Sequence, residues 1–133
     1  MKKLRVLIVD DGPVNLVLVQ NLMTRKGYES ETAENGKAAL EYIKSQEFDL
    51  VLMDLEMPVM DGITTCKKIR NDLGLTMPII AISGGRENGR GDITDSARVL
   101  GADMMLIKPF RARELDEALQ RAMGARRTSH RAR

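Results

Sequence analysis

Five side chains able to do chemistry stand directly after short apolar runs. Asp10 and Asp11 follow residues 4–9, Asp54 follows 48–53, Ser83 follows 77–82 and Lys108 follows 104–107. Singly, each has a plain structural use: an Asp pair ahead of a helix is an ordinary cap, a Ser or a Lys-Pro after a strand an ordinary turn. Together they are three carboxylates, one hydroxyl and one ammonium. Three carboxylates held close repel, and one takes up a proton unless a cation is present. A hard divalent ion removes the conflict. Mg2+ suits the site, because it needs few protein ligands and keeps water and phosphate oxygens in its shell; Mn2+ is the alternative. The Lys and Ser suit an anion, the first as a point charge and the second as a hydroxyl donor. The set reads as Mg2+ plus a transferred phosphoryl group, with one carboxylate as the nucleophile.

The elements that must position these groups alternate along the chain. The four apolar runs, with a weaker one near 28–32, have the continuous apolar character of central strands in a parallel sheet. Between them lie helical stripes. Val14, Leu18 and Leu22 form the first, ending at Gly27; Ala39, Leu40 and Ile43 form the second. Ile63, Cys66, Ile69 and Leu73 form the third, closed by Gly74. Ile93, Ala97 and Leu100 form the fourth, closed by Gly101. Leu115, Ala118, Leu119 and Ala122 form the fifth, closed by Gly124. Strand followed by helix five times predicts an α/β fold, a doubly wound five-stranded parallel sheet with helices on both faces. In such a sheet the ligand lies at the carboxyl ends of the strands, where all five candidate side chains fall.

The formal charge of +2 is unevenly spread. Residues 121–133 hold five arginines and no acid, which leaves 16 basic and 19 acidic side chains in the first 120 residues. The expected organisation is one slightly acidic domain over 1–124 and a basic tail over 125–133 that frays. One cysteine, Cys66, excludes a disulfide scaffold and fits a reducing compartment, the cytoplasm. No apolar run approaches the ~18 residues of a membrane span, and no secretory cleavage site follows the first run. With no Trp, two Tyr and two Phe, stacking platforms for nucleic acid are not expected, and no base-reading module accompanies the basic tail. Pro13 and Asn15 are read as the start of the first helix, Cys66 and the Met104-Met105 pair as core, and His130 as solvated.

At this point the residues carry a family likeness. The segments 6–11 (VLIVDD), 52–62 (LMDLEMPVMDG), 82–83 (IS) and 108–110 (KPF) resemble the receiver domain of two-component response regulators, over about residues 4–123. The resemblance implies the flavodoxin-like sheet order 2-1-3-4-5. It implies that Asp54 accepts a phosphoryl group from a phosphohistidine on a sensor histidine kinase or phosphotransfer protein. Asp11 would bind Mg2+ directly, Asp10 through water, and the backbone carbonyl of Glu56 would be a further ligand beside Asp54. Ser83 and Lys108 would contact the phosphoryl oxygens, and the bond to Pro109 would be cis. Such a domain is not an enzyme in the ordinary sense: it promotes only its own phosphorylation and dephosphorylation. Since only about ten residues follow the domain, the expected protein is a stand-alone receiver, a monomer or weak dimer, that signals by conformational change to a downstream protein. Two other readings stay open. One is a receiver taken from a hybrid sensor kinase. The other is a phosphatase with an aspartyl-phosphate intermediate, disfavoured because Glu56 stands where such enzymes carry a second Asp and no cap domain fits.

Two features depart from the family pattern. Met105 occupies the position, three before the lysine, where receivers usually carry an aromatic residue that turns inward as the hydroxyl after the fourth strand closes on the phosphoryl group. This puts the usual switch in doubt. The loop 84–91, rich in Gly and carrying Arg86 and Arg90, is longer than usual; it reads as a solvated connection, with a partner contact through the two arginines as the sharper alternative. Glu56 stands two residues past the acceptor, where it could repel or order the attacking water.

Overall fold

The structure, a computed structural model, describes residues 3–57, 59–84 and 101–131, with 125–131 as backbone alone. The fourth helical stripe (Ile93, Ala97, Leu100) and the arginines Arg86 and Arg90 lie outside the described residues.

Five strands form one parallel sheet in the order β2-β1-β3-β4-β5, as expected. They are β1 (Arg5–Val9), β2 (Glu29–Ala33), β3 (Leu50–Asp54), β4 (Ile79–Ser83) and β5 (Met104–Ile107). The described helices are α1 (Pro13–Arg25), α2 (Gly36–Ser45), α3 (Gly62–Lys67, continued by a π-helical turn over Lys68–Asp72) and α4 (Ala112–Arg131).

The apolar runs are continuous because both faces of the sheet are covered. Val6, Ile8, Leu50, Leu52, Ile80 and Ile82 pack with Leu16, Val19 and Met23 of α1 and with Leu115, Ala118, Leu119 and Ala122 of α4. The alternate residues Leu7, Val9, Val51, Met53, Ile79 and Ala81 pack with Ala39, Leu40 and Ile43 of α2 and with Cys66 and Ile69. Each Val, Leu, Ile or Met side chain among them, taken wholly out of water, contributes roughly 1.5–3 kcal/mol. Burial pushes the Cys66 thiol up to about 12, so it is an unreactive core group.

Local signals bound several elements. Asn35 caps α2, its side chain accepting from the Ala38 amide at 2.8 Å. Pro13 opens α1. Gly27 and Gly74 adopt positive φ, the left-handed geometry that releases the chain from a helix, and Gly101 ahead of β5 has positive φ as well. Gly124 does not: α4 runs on to Arg131. A glycine inside a helix costs only about 1 kcal/mol relative to alanine, and the Ala and Arg residues around it favour helix.

The face of α1 differs from expectation. Val14 and Leu18 are 71% and 55% exposed, and the helix is buried instead through Leu16, Val19 and Met23. The segment is apolar around most of its circumference, so spacing alone cannot choose its inner face. Ile63 is likewise exposed, leaving Cys66 and Ile69 as the buried stripe after α3 begins.

Candidate functional site

The sheet order puts β1 beside β3, with the chain crossing to β2 on one side and to β3 and β4 on the other. The crevice at this reversal receives the three aspartates. Val9 pairs with Met53 in register, so Asp10, Asp11 and Asp54 emerge together. One carboxylate oxygen from each lies within 4.8 Å of the other two. Asp54 is 1% exposed and Asp10 6%, whereas Asp11 faces solvent. Asp10 is fixed at both ends: its amide donates to the Ala33 carbonyl at 3.1 Å, and its Oδ1 accepts from the Gly12 amide at 2.8 Å.

Asp54 is held by two donors. Its Oδ1 accepts from the Glu56 amide at 3.0 Å, and its Oδ2 lies 3.4 Å from the Lys108 ammonium. Burial still raises its carboxyl above the ordinary range; the Glu56 bond and Lys108 pull it down, and Asp10 pushes it up again. Three carboxylates therefore face one ammonium in a crevice of oxygen donors. That donor set fits a hard divalent cation.

Ser83 ends β4, and its carbonyl accepts from the Lys108 amide at 2.7 Å, which ties the serine and the lysine across the strand pair. The Lys108–Pro109 bond is cis. Met105 pairs with Ala81, two residues before Ser83, and packs half-buried against the α2–α3 side of the core. The Ser83 hydroxyl donates to Glu56 Oε2 at 3.2 Å, and the Gly84 amide to Glu56 Oε1 at 3.2 Å. This second use of Glu56 has no signal in the sequence, since it joins loops 27 residues apart.

The loop after Asp54 is held against the sheet by close backbone approach. A Cβ on Gly62 would lie 2.2 Å from the Asp54 carbonyl oxygen and 2.6 Å from Leu55 Cα, so only glycine fits. Asp61 caps α3 through the Thr64 amide at 2.7 Å. Gly36 meets Thr65 just as closely, locking α2 against α3.

Beside the crevice runs a groove of about 460 Å³ between α1 and the segment after β5, lined by Asp10, Asn15, Leu18, Leu22, Lys108 and Phe110 among others. Of its lining residues, Leu18 is an exposed apolar side chain of α1, on the helix that also carries the exposed Val14 and Val17. His130 lies where only backbone is described. No helix among the described residues is long and apolar enough to cross a membrane.

A five-stranded 2-1-3-4-5 sheet carrying this acid cluster, a strand-end hydroxyl and a lysine before a cis-proline defines a class of phosphoryl-handling α/β domain. The family model for the response regulator receiver domain matches residues 6–120, and the chain belongs to that family. It is 33% identical over 120 residues to the chemotaxis protein CheY of Bacillus subtilis, covering 90% of this chain and 97% of that protein. It is 37% identical over 125 residues to the sensor histidine kinase GacS of Pseudomonas protegens, where it spans 90% of this chain but only 13% of the kinase. Among solved structures, Vibrio cholerae CheY4 superposes with a TM-score of 0.83 at 30% identity, covering 91% of this chain and 99% of that one. The receiver domain of a Pseudomonas aeruginosa sensor histidine kinase, which has a magnesium ion coordinated in its active-site cleft, superposes with a TM-score of 0.80 at 30% identity, covering 92% and 99%.

Proposed function

We propose that Asp54 is the phosphoacceptor of this receiver domain. The observation that carries the reading is the buried Asp54 carboxylate, grouped with Asp10 and Asp11 and approached by Lys108. A carboxylate oxygen of Asp54 attacks phosphorus of a phosphohistidine on a sensor histidine kinase or phosphotransfer protein. A P–O bond forms, the P–N bond breaks, and the imidazole leaves. Lys108 neutralises charge on the transferring group, and the Ser83 hydroxyl, once turned toward it, donates to one of its oxygens. Asp10, Asp11, Asp54 and the Glu56 carbonyl would hold Mg2+, with Mn2+ as a substitute. When bound, the cation offsets the negative charge that the carboxylates and phosphoryl oxygens bring together. Most of the remaining catalysis is positioning: the acceptor is fixed by the Glu56 amide before any donor arrives.

The output is a population shift, in which the acyl phosphate favours one of two arrangements of the β4 and β5 ends and a downstream protein reads the difference. We infer action in the cytoplasm, as a monomer or weak dimer, with 1–124 as the receiver and 125–133 as a basic extension. The likeness to segments of much longer sensor kinases favours a second reading, a receiver that works within a hybrid kinase. Incubation with a small-molecule phosphodonor and Mg2+ tests the assignment. The unaltered chain is expected to gain a base-labile phosphoryl group and Asp54→Asn none; labelling retained in the variant overturns the acceptor.

A further inference from the structure

We infer that the Glu56 carboxylate is a latch that holds the Ser83 hydroxyl away from the phosphoryl position, so that phosphorylation must displace Glu56 to recruit Ser83. The inference rests on the acceptor reading above and adds to it a residue that sets the balance between the two states.

The geometry is that of one side chain bridging two loops. Glu56 follows β3 and reaches the end of β4, where its two oxygens accept separately from the Ser83 hydroxyl and the Gly84 amide, each at 3.2 Å. Its own amide donates to Asp54, so backbone and side chain of one residue touch both the acceptor and the hydroxyl expected to move. Gly84 accommodates the carboxylate closely: a Cβ there would lie 3.1 Å from Glu56 Oε1. A serine has one hydroxyl proton to donate. While that proton is on Glu56 it is not on a phosphoryl oxygen, so the two acceptors compete. Hydrogen bonds to an ionised acceptor are the stronger kind, so Glu56 is an effective competitor. The flexible Met105 stands where receivers usually carry the rigid aromatic ring coupled to this hydroxyl. A residue that holds the Ser83 hydroxyl thus stands on the acceptor's own loop.

The test is a double-mutant cycle read by the affinity for beryllofluoride, a phosphoryl mimic that is not hydrolysed, in saturating Mg2+ by titration calorimetry. Glu56 is exposed, so its removal leaves the core intact. Glu56→Ala is expected to tighten beryllofluoride binding about tenfold, the scale of one charge-assisted hydrogen bond released. In a Ser83→Ala background the same change is expected to give less than a third of that gain. Equal gains in both backgrounds would mean that Glu56 acts only as a repelling charge, and overturn the latch; so would weaker binding by Glu56→Ala. Absence of beryllofluoride binding by the unaltered chain overturns the acceptor reading itself, and the latch with it.

Discussion

The Lys108 ammonium sits 3.4 Å from the Asp54 carboxylate, spanning from the end of β5 to the end of β3 across the intervening strand β4. Lys108 is the counter-charge to an acid that is itself almost wholly buried. The pair is not a surface ion pair of negligible worth, because one partner has no water to fall back on.

Replacing Lys108 by Met keeps the aliphatic stem and removes the charge. Acyl-phosphate formation from a small-molecule donor is expected to slow about 10²-fold, the usual cost of deleting one preorganised donor at a developing anion. The initial rate of phosphoryl incorporation at saturating Mg2+ measures it. A variant within threefold of the parent rate would remove Lys108 from the transfer step.

The buried acceptor makes stability depend on pH in a defined sense. Burial raises the Asp54 carboxyl above its ordinary 3.8. An acid whose pKa is higher folded than unfolded binds its proton more tightly in the folded state. Its contribution favours folding below the unfolded value and is lost as pH rises through the folded one. At neutral pH, with divalent metal chelated, ionised Asp54 therefore destabilises the fold. Asp54→Asn is expected to unfold at a higher temperature than the parent under those conditions, with the advantage shrinking as pH falls toward 3.8. Mg2+ reverses the order of response: the parent gains about 2.7 kcal/mol at 100 times its Kd, the variant less. Thermal unfolding with chelator and with Mg2+ tests both halves, and an Asn variant less stable than the parent in chelator contradicts the first.

Much of this site can be read from sequence because strand ends are legible. Runs such as residues 50–53 and 79–82 are apolar on both faces, as central strands are, so the polar residue that follows each is placed at the carboxyl edge; residues 104–107 carry the same pattern but form the edge strand β5, where three of the four are only half-buried. The glycines at 27 and 74 mark helix ends because the backbone there is left-handed, which glycine adopts without strain. What was not legible has particular causes. Residues 13–23 are apolar on nearly every side, so of the stripe Val14, Leu18 and Leu22 only Leu22 packs against the core, while Val14 and Leu18 face outward. Gly124 resembles a stop, but its backbone stays helical, and the residue type alone does not end a helix. The bond from Ser83 to Glu56 depends on a side-chain direction across two loops, which no spacing encodes.

The misread face of α1 has a functional consequence. Val14, Val17 and Leu18 are more than half exposed, and Leu18 lines the same groove as Asp10 and Lys108. A donor protein that brings a phosphohistidine to Asp54 must cover this rim. Leu18→Lys is expected to slow phosphotransfer from a protein donor at least tenfold, while labelling by a small-molecule donor stays within twofold. Because Leu18 is solvated in the free domain, the unfolding midpoint should move by no more than about 0.5 kcal/mol. Equal slowing with both donors would place the effect in the site rather than on the docking face.

Gly62 tests how closely the acceptor loop is built into the fold. Its missing side chain lets the start of α3 lie against the Asp54 carbonyl and Leu55, and the Gly62 amide donates to the Leu55 carbonyl at 3.3 Å. A methyl group there would meet backbone atoms, which cannot rotate aside as a side-chain end could. Gly62→Ala is therefore expected to destabilise the domain by about 1–3 kcal/mol, the range for overpacking a tight site. It should also weaken Mg2+ affinity, because α3 can retreat only by moving residues 54–56, which carry the acceptor and the expected carbonyl ligand. Gly124→Ala is the control: among the described residues nothing lies within 4 Å of the added carbon, and the change should stabilise the helix slightly. Chemical denaturation separates the two, and a Gly62→Ala domain as stable as the parent would mean that the loop yields without disturbing the strand end it follows.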